Sequence, residues 1–542
     1  MGKRQALLLI LVLISGMPAL ADDLGSRANQ AYASGDFETA ARLYIEAAEC
    51  NVLDTTLLYN GACSASIAGW TDEAFDLLDR AIDSGYSNAD HLGKDTDLDP
   101  LRSDPRWASL IERATNAASW NDTFWNSDAL VDEYSETLPE DLRIAGLSKL
   151  WSEAKFNFAN FDLVPDLDID ALYLEFLPRV RAAETTPDYY LVLMEFAASL
   201  RDGHSNVYPP RPAVDQILAR PAIRTRLVES RVLVIRVDDE SLREAGLVPG
   251  LEVVSVDGVP AVEYGDTRIR PWQAASTPHD ADVRTFEYGY LAGEAGTTLT
   301  LELQDAEGIR STHRIRRLTW EERKGMSPPR PAFALHELPG NVLHIELNTF
   351  NEPTAYEEFL ARFEEISGAD ALILDVRNNG GGNSTWGWNI LAMLTDKPFA
   401  TSSWATRLYR PTIRAWGRGE ALYRPARNNL EPHGTNLYEG PVIVLTSHRT
   451  YSAAEDFSVV FDAMGRGKIV GQPTGGSTGQ PLSFSLPGGG SARICTKRDR
   501  YPDGTEFIGV GIQPDIEIDP TVEDMRSGRD TVLEKALEML GK

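Results

Sequence analysis

A short apolar run at 441–446 (PVIVLT) leads through 447–452 (SHRTYS) into the periodic segment 453–464 (AAEDFSVVFDAM). The length and β-branched content of the first predict a buried strand, and the three-to-four-residue apolar spacing of the second predicts a helix. A strand buried on both faces needs cover on both sides, so this step predicts a layered α/β core. The same alternation recurs at 342–350 (VLHIELNTF), a helix near 354–366, 371–376 (ALILDV) and a helix near 386–395. A parallel or mixed sheet is expected over 332–540, with its chemistry in loops beyond the strand ends. The interval 398–440, rich in Arg, Trp, Pro and Tyr, is too long for a simple crossover and predicts a lid or substrate wall.

Ser452 stands at the entry to the second helix. Ser-Ala-Ala-Glu is a capping box, in which Ser452 satisfies early amides and Glu455 reaches back. A serine on a tight strand-to-helix connection also exposes its oxygen beside amides that have no intrahelical partner. Such amides suit an oxyanion, and the second reading makes Ser452 a nucleophile. Upstream, 375–384 (DVRNNGGGNS) places three glycines after a strand, permitting close backbone approach. The Walker Lys-Ser/Thr is absent, which disfavours a phosphate loop. The amides of Gly381 and Ala453 are expected to form a two-donor oxyanion hole, with a plain glycine turn as the rival reading.

A serine nucleophile needs a base. Of the eight histidines, His204 in Asp202-Gly203-His204-Ser205 leaves the apolar-faced helix expected at 187–200, which anchors one side and frees the ring. His448, four residues before Ser452, is the competitor. No H-E-x-x-H or close C-x-x-C spacing occurs, so no metal is expected; acyl transfer by a serine and a histidine needs no cofactor.

The rest of the chain reads as separate modules. The opening basic residues, the apolar 6–14 and the small residues of 19–21 predict a signal peptide over 1–21, hence a periplasmic or secreted protein without an integral membrane segment after cleavage. A net charge of −29 over 542 residues disfavours nucleic acid and anionic membranes as partners. Three cysteines exclude a disulfide framework. Cys50 and Cys63 flank a helix connection and stand either as a pair or as buried thiols; Cys495 reads as a core residue. Over 24–115, Gly35 recurs as Gly69, Ala40 as Ala74 and Ala47 as Ala81, each after 34 residues. That period resembles tetratricopeptide repeats and implies either a docking surface for a protein partner or a helical spacer. Residues 120–215 predict a helical subdomain carrying His204. Residues 222–318 turn to short strands, and 245–260 (AGLVPGLEVVSVDGVP) looks like a PDZ domain, which implies peptide capture by strand addition. The stretch 321–332 reads as a linker.

Taken in order, D-G-H, D-x-R-x-N-x-G-G, Ser-Ala-x-Glu and the late G-I-x-P-D resemble the carboxyl-terminal processing (tail-specific) serine peptidases. The closer likeness is to their tricorn-core and interphotoreceptor retinoid-binding-protein-like relatives, over about 140–540. The resemblance implies a multidomain α+β protein: N-terminal helical repeats, a helical subdomain, a PDZ-like β domain and a ClpP/crotonase-like α/β catalytic core. It implies Ser452 as nucleophile, His204 as general base, Gly381 and Ala453 at the oxyanion hole, and Glu506 as the carboxylate that orients His204. In the processing branch a lysine serves instead; the matching stretch 474–480 (TGGSTGQ) has Ser477 at that position, which disfavours a Ser-Lys dyad. Asp456 reads as part of a substrate pocket or as a favourable charge at the helix start. The implied activity is endoproteolysis of peptides or unfolded protein tails through an acyl-enzyme. A non-catalytic protein binding peptides or hydrophobic ligands on the same fold is the alternative.

Overall fold

The computed structural model describes residues 21, 23–51, 54–125, 127–419, 421–425 and 429–542; nearly all of the expected signal peptide lies outside them. The chain divides into two compact units, the first up to Ala129 together with Pro425, the second containing the rest of the described residues.

The first unit is helical. Phe37–Cys50, Thr55–Ile67 and Thr71–Asp83 follow one another, and a longer helix, Arg106–Trp125, ends the unit. Gly35 and Gly69, one period apart, both take φ of 80° at the turns before a helix. Each ends a preceding helix in the left-handed conformation that glycine alone adopts without strain. Leu58, Ala62, Phe75, Leu78, Leu98 and Leu110 share one apolar core. Cys50 and Cys63 are both free thiols, so the pairing reading is set aside; the Cys63 thiol instead donates to the Asp95 carboxylate at 3.7 Å.

The second unit contains three parts, each with its own apolar core. Its helical part comprises Glu140–Asn157, Ile169–Ala182 and Thr186–Ala198. These pack Leu150, Phe158, Phe176 and Phe196 against Leu486, Ala492 and Ile494 of the hairpin formed by Pro481–Leu486 and Gly490–Cys495. The short strand Asn206–Tyr208 pairs with the outer side of that hairpin. A separate antiparallel sheet, built from Ile223–Val228, Arg231–Val237, Glu252–Val256, Thr298–Gln304 and Arg310–Arg316, covers its apolar face with Tyr264, Phe286 and Tyr290. The expected linker begins with a helical turn, Trp320–Arg323, closed by a Thr319–Glu322 capping box.

The α/β core has six strands: β1 (Phe333–Leu338), β2 (Val342–Leu347), β3 (Ala371–Asp375), β4 (Val442–Thr446), β5 (Lys468–Gly471) and β6 (Ile516–Glu517). They lie in the order β6-β5-β4-β3-β2-β1, parallel except for the antiparallel edge strand β1. Because side chains alternate faces, Leu372, Leu374 and Val444 enter one core with Phe457 and Val460, while Ile373, Ile443 and Leu445 enter another with Val532 and Ala536. The helix expected near 386–395 starts earlier, at α1 (Ser384–Leu391), where Asn383 caps it through the Thr385 amide. The helix after Ser452 is α2 (Ala453–Ala463). The described residues of 398–440 include short strands: Ser403–Leu408 pairs with Ala421–Tyr423 on one side and Lys497–Arg500 on the other.

Candidate active site

β3 and β4 are neighbours, so the loops leaving their carboxyl ends meet above the sheet. One carries 377–383 with the glycines, the other 447–452. Ser452 has φ of 55° and ψ of −124°, a sharp elbow between strand and helix. Its amide donates to Glu455 Oε2 at 3.1 Å, which realises the return half of the capping box. Its hydroxyl faces the His204 Nε2 at 3.1 Å. The two residues are 248 apart in sequence, and the contact is made by the helical part approaching the α/β core.

His204 is held from beneath. The helix Thr186–Ala198 ends, Arg201 adopts φ of 50°, and the buried Asp202 carboxylate gathers the turn. It accepts from the His204 amide at 2.9 Å, the Ser205 hydroxyl at 3.0 Å and the Asn160 amide at 2.9 Å. Gly203 is required by close approach: a Cβ there would lie 1.8 Å from the Tyr451 hydroxyl. Tyr451 then stacks on the His204 ring at 5.2 Å and 9°. Only 4% of His204 is exposed. Burial, followed by the charges of Arg493, Arg284 and Lys497, pushes its pKa down to about 3, so the ring is neutral and Nε2 can accept a proton.

The group at the other ring nitrogen is Ser477, whose hydroxyl lies 2.8 Å from Nδ1. With Nε2 facing Ser452 as acceptor, Nδ1–H donates to Ser477 Oγ. Glu506 is elsewhere: its half-exposed carboxylate accepts from Arg498 at 2.9 Å and Arg500 at 2.5 Å. In this structure, then, Glu506 does not orient His204, because two arginines hold it at the end of a strand pair. Ser477 is fixed by Glu455, which accepts from the Ser477 amide at 3.0 Å, the Gly476 amide at 2.7 Å and the Thr474 hydroxyl at 2.6 Å. Burial pushes Glu455 up to about 8, against donors that favour its charged form. Glu455 thus ties the backbone amides of Ser452 and Ser477 to one carboxylate. Its capping spacing was visible in sequence; Ser477 was marked only by occupying the position of a lysine.

The glycine loop abuts the serine. Gly381 has φ of 101°, and a Cβ on it would lie 2.6 Å from Ser452 Cβ and 2.9 Å from the Ala453 amide nitrogen. Ala453 is the first residue of α2, where an amide has no intrahelical acceptor. The Gly381 amide, however, donates to its own loop, to Asn379 Oδ1 at 2.9 Å. The expected pair of free donors is therefore reduced in this conformation to Ala453. Asp456 is buried and accepts from Ser384 at 2.6 Å and Ser402 at 2.7 Å, which links the starts of α1 and α2. His448 stacks on His279 at 4.4 Å and makes no hydrogen bond to Ser452.

Residues 341–518, the α/β core, match the model of peptidase family S41. The chain is 29% identical over 182 residues to the C-terminal processing peptidase, chloroplastic, of Tetradesmus obliquus, covering 33% of this chain and 35% of that protein. It is also 29% identical over 199 residues to the tricorn protease of Thermoplasma acidophilum, covering 34% of this chain and 15% of that one. The alignments thus span well under two thirds of these relatives. The crystal structure of mature CPAF superposes with a TM-score of 0.58 at 16% identity, covering 73% of this chain and 96% of that one, which establishes a shared fold.

Proposed function

We propose, from a core that matches the model of peptidase family S41, that this protein is a serine endopeptidase acting on peptides and unfolded protein tails. The observation that carries the reading is the 3.1 Å contact between Ser452 Oγ and a neutral, buried His204. His204 Nε2 takes the hydroxyl proton as Oγ bonds to the scissile carbonyl carbon. The Ala453 amide faces the oxygen that becomes negative, and Gly381 joins it when the oxyanion displaces Asn379 Oδ1 from its amide. The C–N bond breaks as His204 returns the proton to the leaving amine. Water, deprotonated by the same nitrogen, then attacks the acyl-enzyme and releases Ser452. Ser477 holds the ring tautomer, a role for a positioning residue. The β domain at 222–318 and the helices of the first unit would bind protein segments remote from the scissile bond, as the PDZ-like and repeat-like readings imply.

Cleavage of a broad unfolded-peptide mixture, followed by mass spectrometry, tests this. The protein should cut, and Ser452→Ala should lose at least about a thousandfold in rate. Equal cleavage by both would place the activity elsewhere. A folded protein that neither cuts nor forms an adduct at Ser452 with a serine-directed inactivator would favour the ligand-binding alternative.

A further inference from the structure

In a chain of net charge −29, the stretch 404–424 holds five arginines against one acid, Glu420. Arg407 serves the fold: it donates to the Lys155 carbonyl at 2.8 Å and the Phe158 carbonyl at 3.3 Å, and lies over the Phe161 ring. Arg410, Arg414, Arg418 and Arg424 have no carboxylate within salt-bridge distance among the described residues. Other arginines are matched by acids, Arg226 by Glu287, Arg377 by Asp375 and Asp530, Arg500 by Glu506. Two of the unmatched ones rest on aromatic side chains of their own segment instead. Arg418 stands over the Trp416 ring at 5.4 Å, and Arg414 donates to the Tyr409 hydroxyl at 3.4 Å. Both rings are exposed, Trp416 by 63% and Tyr409 by 42%. A guanidinium supported by a ring keeps its charge, stays open to a carboxylate and loses less freedom on binding than a loose side chain.

This basic arm is rooted at the candidate active site. Ser402, just before its first strand, donates to Asp456 at 2.7 Å, and Asp456 lies about one helical turn beyond Ser452. The strand itself, Ser403–Leu408, pairs with Lys497–Arg500. That partner follows Cys495, whose amide donates at 3.1 Å to the hydroxyl of Ser205, the neighbour of His204. Lys497 closes the root, its Nζ 5.7 Å from the centre of the Trp404 ring. One end of the arm is thus fixed to the elements that carry both the serine and the histidine. Residues 409–419, exposed except for the half-buried Ile413, form the other end. A six-residue strand spans about 20 Å, so the exposed arginines begin about that far from the root.

We propose that this arm selects substrates by an acidic segment: a polypeptide extended from Ser452 runs beside Ser403–Leu408 and sets aspartate or glutamate side chains on Arg410, Arg414 and Arg418. Tyr409 and Trp416 take an apolar side chain next to them. The proposal rests on the peptidase reading for its consequence. At about 3.3 Å per residue, the acids fall roughly six to nine residues from the cleaved bond, on one side of it. Side chains are read here, not a chain end, so an internal segment serves. The arm also gives an acidic substrate a local attraction that the net charge of the whole chain denies it.

Binding to full-length Ser452→Ala protein tests it without turnover. An amino-terminally labelled, carboxamidated peptide bearing a run of four glutamates is compared, by fluorescence anisotropy at low salt, with the same peptide bearing four glutamines. The glutamate peptide should bind about tenfold or more tightly, and the difference should shrink as salt is added. Arg410→Gln/Arg414→Gln/Arg418→Gln, added to Ser452→Ala, should bring the two peptides to equal affinity; all three side chains are exposed, so circular dichroism should stay unchanged. Equal binding of the two peptides by Ser452→Ala overturns the proposal whatever the fate of the triple variant. A preference that survives the triple variant also overturns it, by placing the recognition on another basic surface. Phosphatidylglycerol vesicles that bind through these arginines while the peptides do not differ overturn it as well, assigning the arm to an anionic lipid surface. Because no readout needs catalysis, a wild-type chain that discriminates in this way but never cuts would refute the peptidase reading and leave the arm's preference standing.

Discussion

At the scale of single residues, the two ring nitrogens of His204 separate what was legible in sequence from what was not. Ser452 and His204 were marked by their settings, one at a strand-to-helix step and one at a helix exit, and both settings are backbone properties that local sequence encodes. The orienting group is a matter of which loop reaches Nδ1, and only packing decides that. Ser477→Ala should therefore lower kcat by about tenfold or more with little change in KM, whereas Glu506→Gln should change either by no more than about twofold. Steady-state kinetics on the two variants decides between the hydroxyl and the carboxylate; a large loss on Glu506→Gln alone would restore the carboxylate. The depressed His204 pKa gives a second expectation. With the ring neutral down to about 3, the acid limb of kcat/KM should fall well below pH 6, and a midpoint near 6.5 would show a solvated histidine instead. The stability sign agrees. A histidine whose folded pKa is depressed contributes fully above its unfolded value and loses that contribution as pH falls from about 6.5 toward about 3.

At the scale of elements, the strands β2, β3 and β4 and the helices that follow them were predictable because a two-face-buried strand is a short, continuous apolar run. Others escaped for physical reasons. Asn206–Tyr208 is three residues long and exists by pairing with Gly490–Cys495, almost 300 residues away. Ser403–Leu408 likewise pairs with the distant Lys497–Arg500. The expected helix over 354–366 breaks at Arg362 into Thr354–Ala361 and Phe363–Ser367, a division that apolar periodicity does not announce. The turn that carries His204 depends on a missing side chain. Gly203→Ala should displace it, because the added methyl meets both Tyr451 and Arg284, and should cut kcat/KM by about a hundredfold or more while circular dichroism stays close to wild type. Activity within about twofold of wild type would show that Tyr451 can move aside freely.

At the scale of the whole molecule, each unit has its own apolar core, and Ser452, His204, Ser477, Glu455 and Ala453 all belong to the second. A chain beginning near residue 130 should fold and cut short peptides at a rate within about threefold of the full protein, measured on the same peptide mixture. Failure to fold would show that the helical unit is needed for the second unit's stability. The backbone of Ser452 has a consequence for that stability. A dihedral pair of 55° and −124° costs an L-residue about 1–3 kcal/mol and costs glycine much less. Ser452→Gly should therefore melt above Ser452→Ala, although both lack the hydroxyl and glycine loosens the unfolded chain. A protein whose proposed nucleophile position would be more comfortable as glycine is held in its working shape by the rest of the fold, and selection for thermal robustness alone would drive it toward inactivity.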